Sequence, residues 1–178
     1  MFEIKNIKAS LKIRPILLSS VVNSLEVKNI QVKNSNNFVV FHNIYTYIIF
    51  KTCCKNVEHV NITKISCSEK LENSVSHLQF LLSPTIIITT HFQIDNITAR
   101  FNFQKQINIK KICECLKSED VKLSFNKEKF PGMFIKFKKG TVILFNSGKS
   151  VCVGCNDTLL LQELFTFVKD KVDKYGQL

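Results

Sequence analysis

The chain predicts an α+β fold written as two tandem repeats, and three observations predict it. First, Ile4-Lys5-Asn6-Ile7-Lys8-Ala9 and Ile94-Asp95-Asn96-Ile97-Thr98-Ala99 share the pattern I-x-N-I-x-A at a spacing of 90 residues. Second, each copy is followed by the same order of segments: a short helix-compatible stretch, two strand-like runs and a longer amphipathic stretch. Third, the strand-like runs are rich in β-branched and aromatic residues, whereas the amphipathic stretches repeat their apolar residues at helical spacing.

Taken in order, Ile16 to Leu25 reads as a short helix, and Asn37–Phe41 and Tyr45–Phe50 read as strands. Ser68 to Leu82 closes the first repeat as a longer helix. In the second repeat Ile109–Leu116 is the short helix, Met133–Phe137 and Thr141–Phe145 are the strands, and Asp157 to Val172 is the long helix. Asp157 is a good N-cap for it, since a short acidic side chain satisfies the first free N–H groups. Its apolar residues Leu160, Leu161, Leu164, Phe165 and Val168 recur at helical spacing. The boundary falls near Ser83-Pro84, giving repeats over 1–83 and 84–178. No linker separates them, and the strand-like Ile86-Ile87-Ile88-Thr89-Thr90 follows at once, so the repeats are expected to pack as one body. An equivalent Asn from each half would then lie near the middle of one surface, which suits a nearly symmetric ligand such as a duplex.

With 178 residues, 45% hydrophobic, and only 3 Pro and 5 Gly, the chain can bury a good core. There is no 18-residue apolar run and no secretory leader pattern at Met1, which reads as a soluble intracellular protein. A formal charge of +11 suits a polyanionic partner, because Lys and Arg displace condensed counterions. The same lysines would also suit a merely solvated surface. The seven Cys form one C-x-x-C, Cys152 to Cys155, with no second to complete a four-ligand zinc set, and reduced thiols are expected.

Catalytic patterns do not emerge. The four His (His42, His59, His77 and His91) have no carboxylate partner at a telling spacing. Gly148-Lys149-Ser150 lacks the upstream glycine of a phosphate loop and is followed by strand-like Val151-Cys152-Val153, so it reads as a hairpin turn. Binding outranks catalysis, and no enzyme activity, cofactor or metal is expected.

Phe130-Pro131-Gly132-Met133, then Ile143-Leu144-Phe145-Asn146-Ser147-Gly148-Lys149, then Val151-Cys152-Val153-Gly154 resembles the second repeat of the TATA-box-binding protein family, with its F-P-G-[LM], L-I-F-x-S-G-K and V-x-T-G. Ile94-Asp95-Asn96-Ile97 and Ile107-Asn108-Ile109-Lys110 extend the likeness over residues 92 to 172. The first repeat joins it chiefly through Ile4-Lys5-Asn6-Ile7. The resemblance implies a saddle: a curved antiparallel sheet with helices on the convex face and a concave face that binds DNA in the minor groove.

Alternation can be set against that implication, since side chains two apart share a face. Ile7, Ala9, Leu11 and Ile13, and Ile97, Ala99, Phe101 and Phe103, would face the helices. Asn6, Lys8, Ser10 and Lys12, and Asn96, Thr98, Arg100 and Asn102, would face the ligand. By the resemblance, Asn6 and Asn96 read the base edges, Thr98 faces the duplex with them, Ile143, Val151 and Val153 line the groove floor, and Phe130 and Phe145 are wedges that kink a base step. Phe38 and Phe50 are their first-repeat counterparts by order, 12 residues apart where the second pair is 15. Lys136 and Lys149 contact phosphates, and Glu128, beside F-P-G, engages a transcription factor IIB-like partner among other basal transcription proteins.

The departures are specific. Val153 replaces the Thr of V-x-T-G, Lys51-Thr52-Cys53-Cys54-Lys55 replaces the first S-G-K turn, Lys129 replaces a leucine beside Glu128, and Lys8 and Lys12 add charge to the ligand face. They imply a divergent member, of the kind a virus or parasite carries, acting in the nucleus or at the site of viral transcription. The function implied is initiation of transcription by binding and bending AT-rich promoter DNA. The alternative is a protein-interaction module of the same fold that has lost sequence-specific bending. On the convex side, Leu71, Val75, Leu78 and Leu82, and Leu160, Leu164, Phe165 and Val168, are expected to lie on the sheet while Lys169, Lys171 and Lys174 point outward.

Overall fold

The computed structural model describes residues 2–28, 30–35, 38–43, 46–53 and 56–176. The chain clusters into two compact units, Asn6–Asp95 and Asn96–Leu178 with Met1–Lys5. In the first unit β1 (Phe2–Leu17, as far as it lies there) is followed by α1 (Leu18–Val27), β2 (Val32–Ser35), β3 (Phe38–Asn43), β4 (Thr46–Cys53), β5 (Asn56–Ile65) and α2 (Ser68–Leu82). In the second, β6 (Gln93–Asn102) is followed by α3 (Ile109–Leu116), β7 (Lys122–Ser124), β8 (Gly132–Lys136), β9 (Thr141–Phe145), β10 (Lys149–Cys155) and α4 (Thr158–Tyr175).

The duplication is explicit in the ladders. The first unit orders its strands β1-β5-β4-β3-β2 and the second β6-β10-β9-β8-β7, with antiparallel pairing throughout. Alternation fixes which face is covered. Ile7, Ala9, Leu11 and Ile13 are buried on β1, and Ile97, Ala99 and Phe101 on β6. Phe103 stops short of the core but stacks its ring on Phe165 of α4 at 6.0 Å, and Phe101 packs on the same ring at 5.0 Å. Burying such a side chain contributes about 1.5–3 kcal/mol, so the apolar row decides the register.

The helices follow from local chemistry and from these faces. Asp157 caps α4, its carboxylate accepting from Leu159 N at 2.9 Å. Asn108 caps α3 in the same way through Lys111 N. The buried stripe of α4 is Leu161, Leu164, Val168 and Val172, with Leu160 half-buried and Leu159 exposed. On α2 it is Leu71, Ser74, Leu78 and Leu82, and Ser74 satisfies its hydroxyl on Lys70 O at 2.7 Å.

Several sequence expectations are corrected. Ile16 and Leu17 continue β1, paired with Val57 and Asn56, so α1 begins two residues later than expected. Ile86–Thr90 forms no strand of its own: it runs extended beside β1 with one bridge, Ile13 to Ile88. β2, β5 and β7 had no clear signal, because β2 and β7 are short and β5 interleaves Glu58, His59, Asn61 and Thr63 among its buried residues. Asn37 and Tyr45, expected strand starts, and residues 54 and 55 of the segment replacing the first turn, lie outside the described residues. No helix among the described residues is long and apolar enough to cross a membrane.

Candidate nucleic-acid interface

Each unit covers one sheet face with helices and leaves the other open, and the open faces hold most of the residues singled out above. At the start of each, an Asn is tied into the neighbouring strand. Asn6 Oδ1 accepts from Lys64 N at 2.7 Å and lies 3.4 Å from the Thr63 hydroxyl. Asn96 Oδ1 accepts from Gly154 N at 2.6 Å, and its Nδ2 donates to Thr98 Oγ1 at 3.3 Å. Both backbone donors sit in β-bulges with positive φ, 63° at Lys64 and 83° at Gly154, where the ladders slip register between Ile7 and Ala9 and between Cys152 and Cys155. A bulge re-aims a strand and leaves an N–H unpaired, and the Asn carbonyl takes that N–H. With the oxygen fixed, the orientation of the amide NH2 is fixed too. Sequence reading found the two Asn but not their anchors, for which the glycine of V-x-x-G was the one available signal.

In the second unit the open face is apolar across its middle. One cross-strand row runs Arg100, Val151, Ile143, Phe134 and Ser124, and the next runs Val153, Thr141, Lys136 and Lys122. Ile143, Phe145, Val151, Val153 and Thr98 are half-buried on it, and Lys136, Lys149 and Arg100 are exposed. Beyond the strand end Phe130 is 37% exposed. Asn126 holds the approach turn, its Oδ1 accepting from Glu128 N at 3.1 Å and its carbonyl from Phe130 N at 2.9 Å. The Phe130 ring lies 5.8 Å from Phe145 and 5.1 Å from Phe134, a third aromatic residue that sequence reading missed. Gly132 makes this possible: a Cβ there would meet Phe130 at 2.7 Å and Phe145 at 2.9 Å.

The turn between β9 and β10 is a hairpin, as its sequence predicts. Gly148 has φ +77°, donates to Phe145 O and accepts from Phe103 N, both at 2.9 Å. Its N–H is therefore spent inside the fold rather than turned toward a phosphate.

The first-unit counterparts need correction. Phe50 is fully buried, and the register explains why. It pairs with Val60 and Val39, on the row equivalent to Ser150, Leu144 and Met133, so its match in the second unit is Leu144. The ladder position of Phe145, opposite Gly132, is occupied by Lys51, opposite Phe38. The hairpin of the first unit is also longer, by the pairs Thr52–Val57 and Cys53–Asn56.

Elsewhere, Lys171 is spent on Glu119 and on the Phe167 ring at 5.2 Å rather than presented outward. Lys105 and Lys169 share Asp173 at 2.7 and 2.6 Å and, Lys105 first, hold its carboxyl below the usual range. Cys152 and Cys155 bring their sulfurs to 3.4 Å in the core, and the hydrogen bond between them pushes the Cys152 thiol up and the Cys155 thiol down. Among the described residues no three His, Cys, Asp or Glu side chains cluster as metal ligands.

Comparison with known proteins agrees with this geometry. The family model "Transcription factor TFIID (or TATA-binding protein, TBP)" matches residues 91–175. The fold matches Methanococcus jannaschii TBP with a TM-score of 0.74, over 97% of this chain and 98% of that one, at 16% identity. The second unit is similar to the TATA-box-binding protein family, and the chain shares that family's fold. It is 28% identical over 127 residues to the TATA-box-binding protein of Thermoplasma volcanium, covering 70% of this chain and 64% of that protein. It is 32% identical over 88 residues to that of Methanopyrus kandleri, covering 47% and 48%. The chain thus spans between about half and two thirds of the length of these relatives. The family match falls on the second unit, where F-P-G, S-G-K and V-x-x-G stand.

Proposed function

We propose that the chain is a transcription-initiation factor that binds AT-rich duplex DNA in the minor groove and bends it, without catalysis. The observation that carries this reading is the pair of bulge-anchored Asn, one per unit, each with its oxygen committed to backbone. Fixed amide donors suit the minor groove, whose A·T pairs offer only the acceptors N3 and O2, while the G N2 amino group would oppose them. Val151, Val153 and Ile143 exclude water beside the Asn96 donor, and Lys136 and Lys149 meet phosphates. Phe130, backed by Phe134 and Phe145, is placed to enter a base step; unstacking costs about a few kcal/mol per step, offset by the extra surface a bent duplex wraps. Glu128, exposed on the turn that Asn126 holds, is the proposed contact for a IIB-like partner.

The second reading, an interaction module without bending, draws support from one observation: Lys51 rather than an aromatic residue holds the ladder position of Phe145 in the first unit.

Replacing A·T by inosine·cytosine pairs tests the proposal, because this substitution keeps the minor-groove pattern of A·T and presents that of G·C in the major groove. Equal affinity for the A·T and I·C sites, with weaker binding to G·C, is expected. An I·C site bound as poorly as G·C would remove minor-groove reading.

A further inference from the structure

The two anchoring bulges share a backbone and differ in what they carry. At the second the residue is Gly154, and a Cβ there would meet nothing nearer than Gly140 Cα at 3.5 Å. At the first, the same left-handed position holds Lys64 at φ +63°. Lysine gains nothing intrinsic from positive φ, which glycine adopts freely, so this side chain is held against its backbone preference by the surrounding structure. Outliers of this kind collect where a side chain must be aimed.

The aim is visible. Lys64 Nζ lies 4.1 Å from the Tyr47 ring centroid. Tyr47 pairs with Thr63 and alternates with buried Ile48, which puts the tyrosine on the open face of the first unit. Since Lys64 N also fixes Asn6 Oδ1, one short cluster joins a reading amide, an aromatic platform and a cation. Among the described residues no carboxylate pairs with Lys64. The corresponding positions of the second unit are Val153, Gly154 and Thr141, which offer no cation.

We infer that Lys64 is a DNA contact particular to the first unit: its ammonium, laid on Tyr47, binds an acceptor of the duplex beside the position that Asn6 reads. The inference rests on the DNA-binding reading above. The acceptor is a phosphate oxygen or a minor-groove base acceptor, the same chemistry from two sources. Either makes the two units unequal toward DNA and gives the chain a preferred orientation on an asymmetric site.

Lys64→Gly and Lys64→Gln test it, with affinity for an AT-rich and a G·C-substituted duplex measured across a salt series and thermal denaturation alongside. Lys64→Gly relieves the backbone, so its Tm is expected to hold or rise while its low-salt affinity falls about tenfold and the slope of log K against log salt drops by about one. Lys64→Gln is expected to show the same binding loss. A slope change with the A·T preference kept identifies a phosphate, and a relaxed preference identifies a base acceptor. Wild-type affinity, slope and preference in both variants, with the wild type binding AT-rich DNA, would overturn the inference and leave the reading standing. Affinity lost only together with Tm would assign Lys64 a structural role and overturn it as well. A wild type that binds no duplex would sink the inference and the reading together.

Discussion

The two units share a topology, a register and an Asn-anchored bulge, yet their open faces differ in chemistry more than their covered faces do. Across the open face of the first unit the row reads Ser10, Asn61, Ile49, Val40 and Lys33; in the second the equivalent row reads Arg100, Val151, Ile143, Phe134 and Ser124. On the covered side, Leu11, Val60 and Phe50 stand where the second unit has Phe101, Ser150 and Leu144. Core rows are held by close packing, and open faces answer only to what they bind. Under the proposed function, the second unit would wedge and cover bases and the first would hold charge and polar groups against the duplex.

The largest difference to probe is between two phenylalanines that order along the chain had placed in the same set of wedges, Phe50 and Phe130. Phe50→Ala should destabilise by about 3–5 kcal/mol, since it empties a fully buried site. Phe130→Ala, with its ring exposed at a strand end, should cost only about 1 kcal/mol. Chemical denaturation compares them, and equal losses would return Phe130 to the core.

Next come the paired Asn. Asn6→Asp and Asn96→Asp keep an oxygen for the bulge N–H but replace the amide donor by a carboxylate. Each should fold normally and lose about 1–3 kcal/mol or more of DNA binding, read by filter binding at fixed salt. A variant that binds as the wild type does would show that its unit does not read the groove through this residue.

Ser150 separates the covered rows on a smaller scale. Its hydroxyl is buried without a partner at the position where the first unit has Val60. Ser150→Val should raise stability by about 1 kcal/mol, because the orphan hydroxyl carries a desolvation cost that a methyl group does not. A drop in the denaturation midpoint would mean that the added methyl overfills the row.

A mild effect on binary binding is expected from Glu128→Lys, which leaves DNA affinity intact or slightly higher and costs ternary assembly with a IIB-like protein. Gel mobility with and without that partner reads both quantities. Loss of DNA binding alone would remove the partner surface from Glu128.

Much of this fold was legible because its signals are local. The alternation of Ile97, Ala99 and Phe101, the cap at Asp157 and the hairpin at Gly148 each follow from neighbours in sequence. What was not legible depends on register. Phe38 and Phe50 invite pairing with Phe130 and Phe145, yet the ladders pair Phe50 with Val60 on the core row, and Lys51, one residue on, holds the position of Phe145. A one-residue change of register reverses the face of every side chain, and the sequence does not display hairpin length. The Asn anchors were hidden for the same reason: Lys64 and Gly154 lie 58 residues from the Asn they serve.

The division of labour between the units is tested most directly by the bend angle of circularly permuted AT-rich duplexes bound to wild type and to Phe130→Ala/Phe145→Ala. The wild type should bend the duplex, and the double variant should still bind it, through Asn6, Asn96 and the basic residues, with most of the bend gone. A double variant that bends DNA as fully as the wild type would contradict the assignment of the wedge to the second unit.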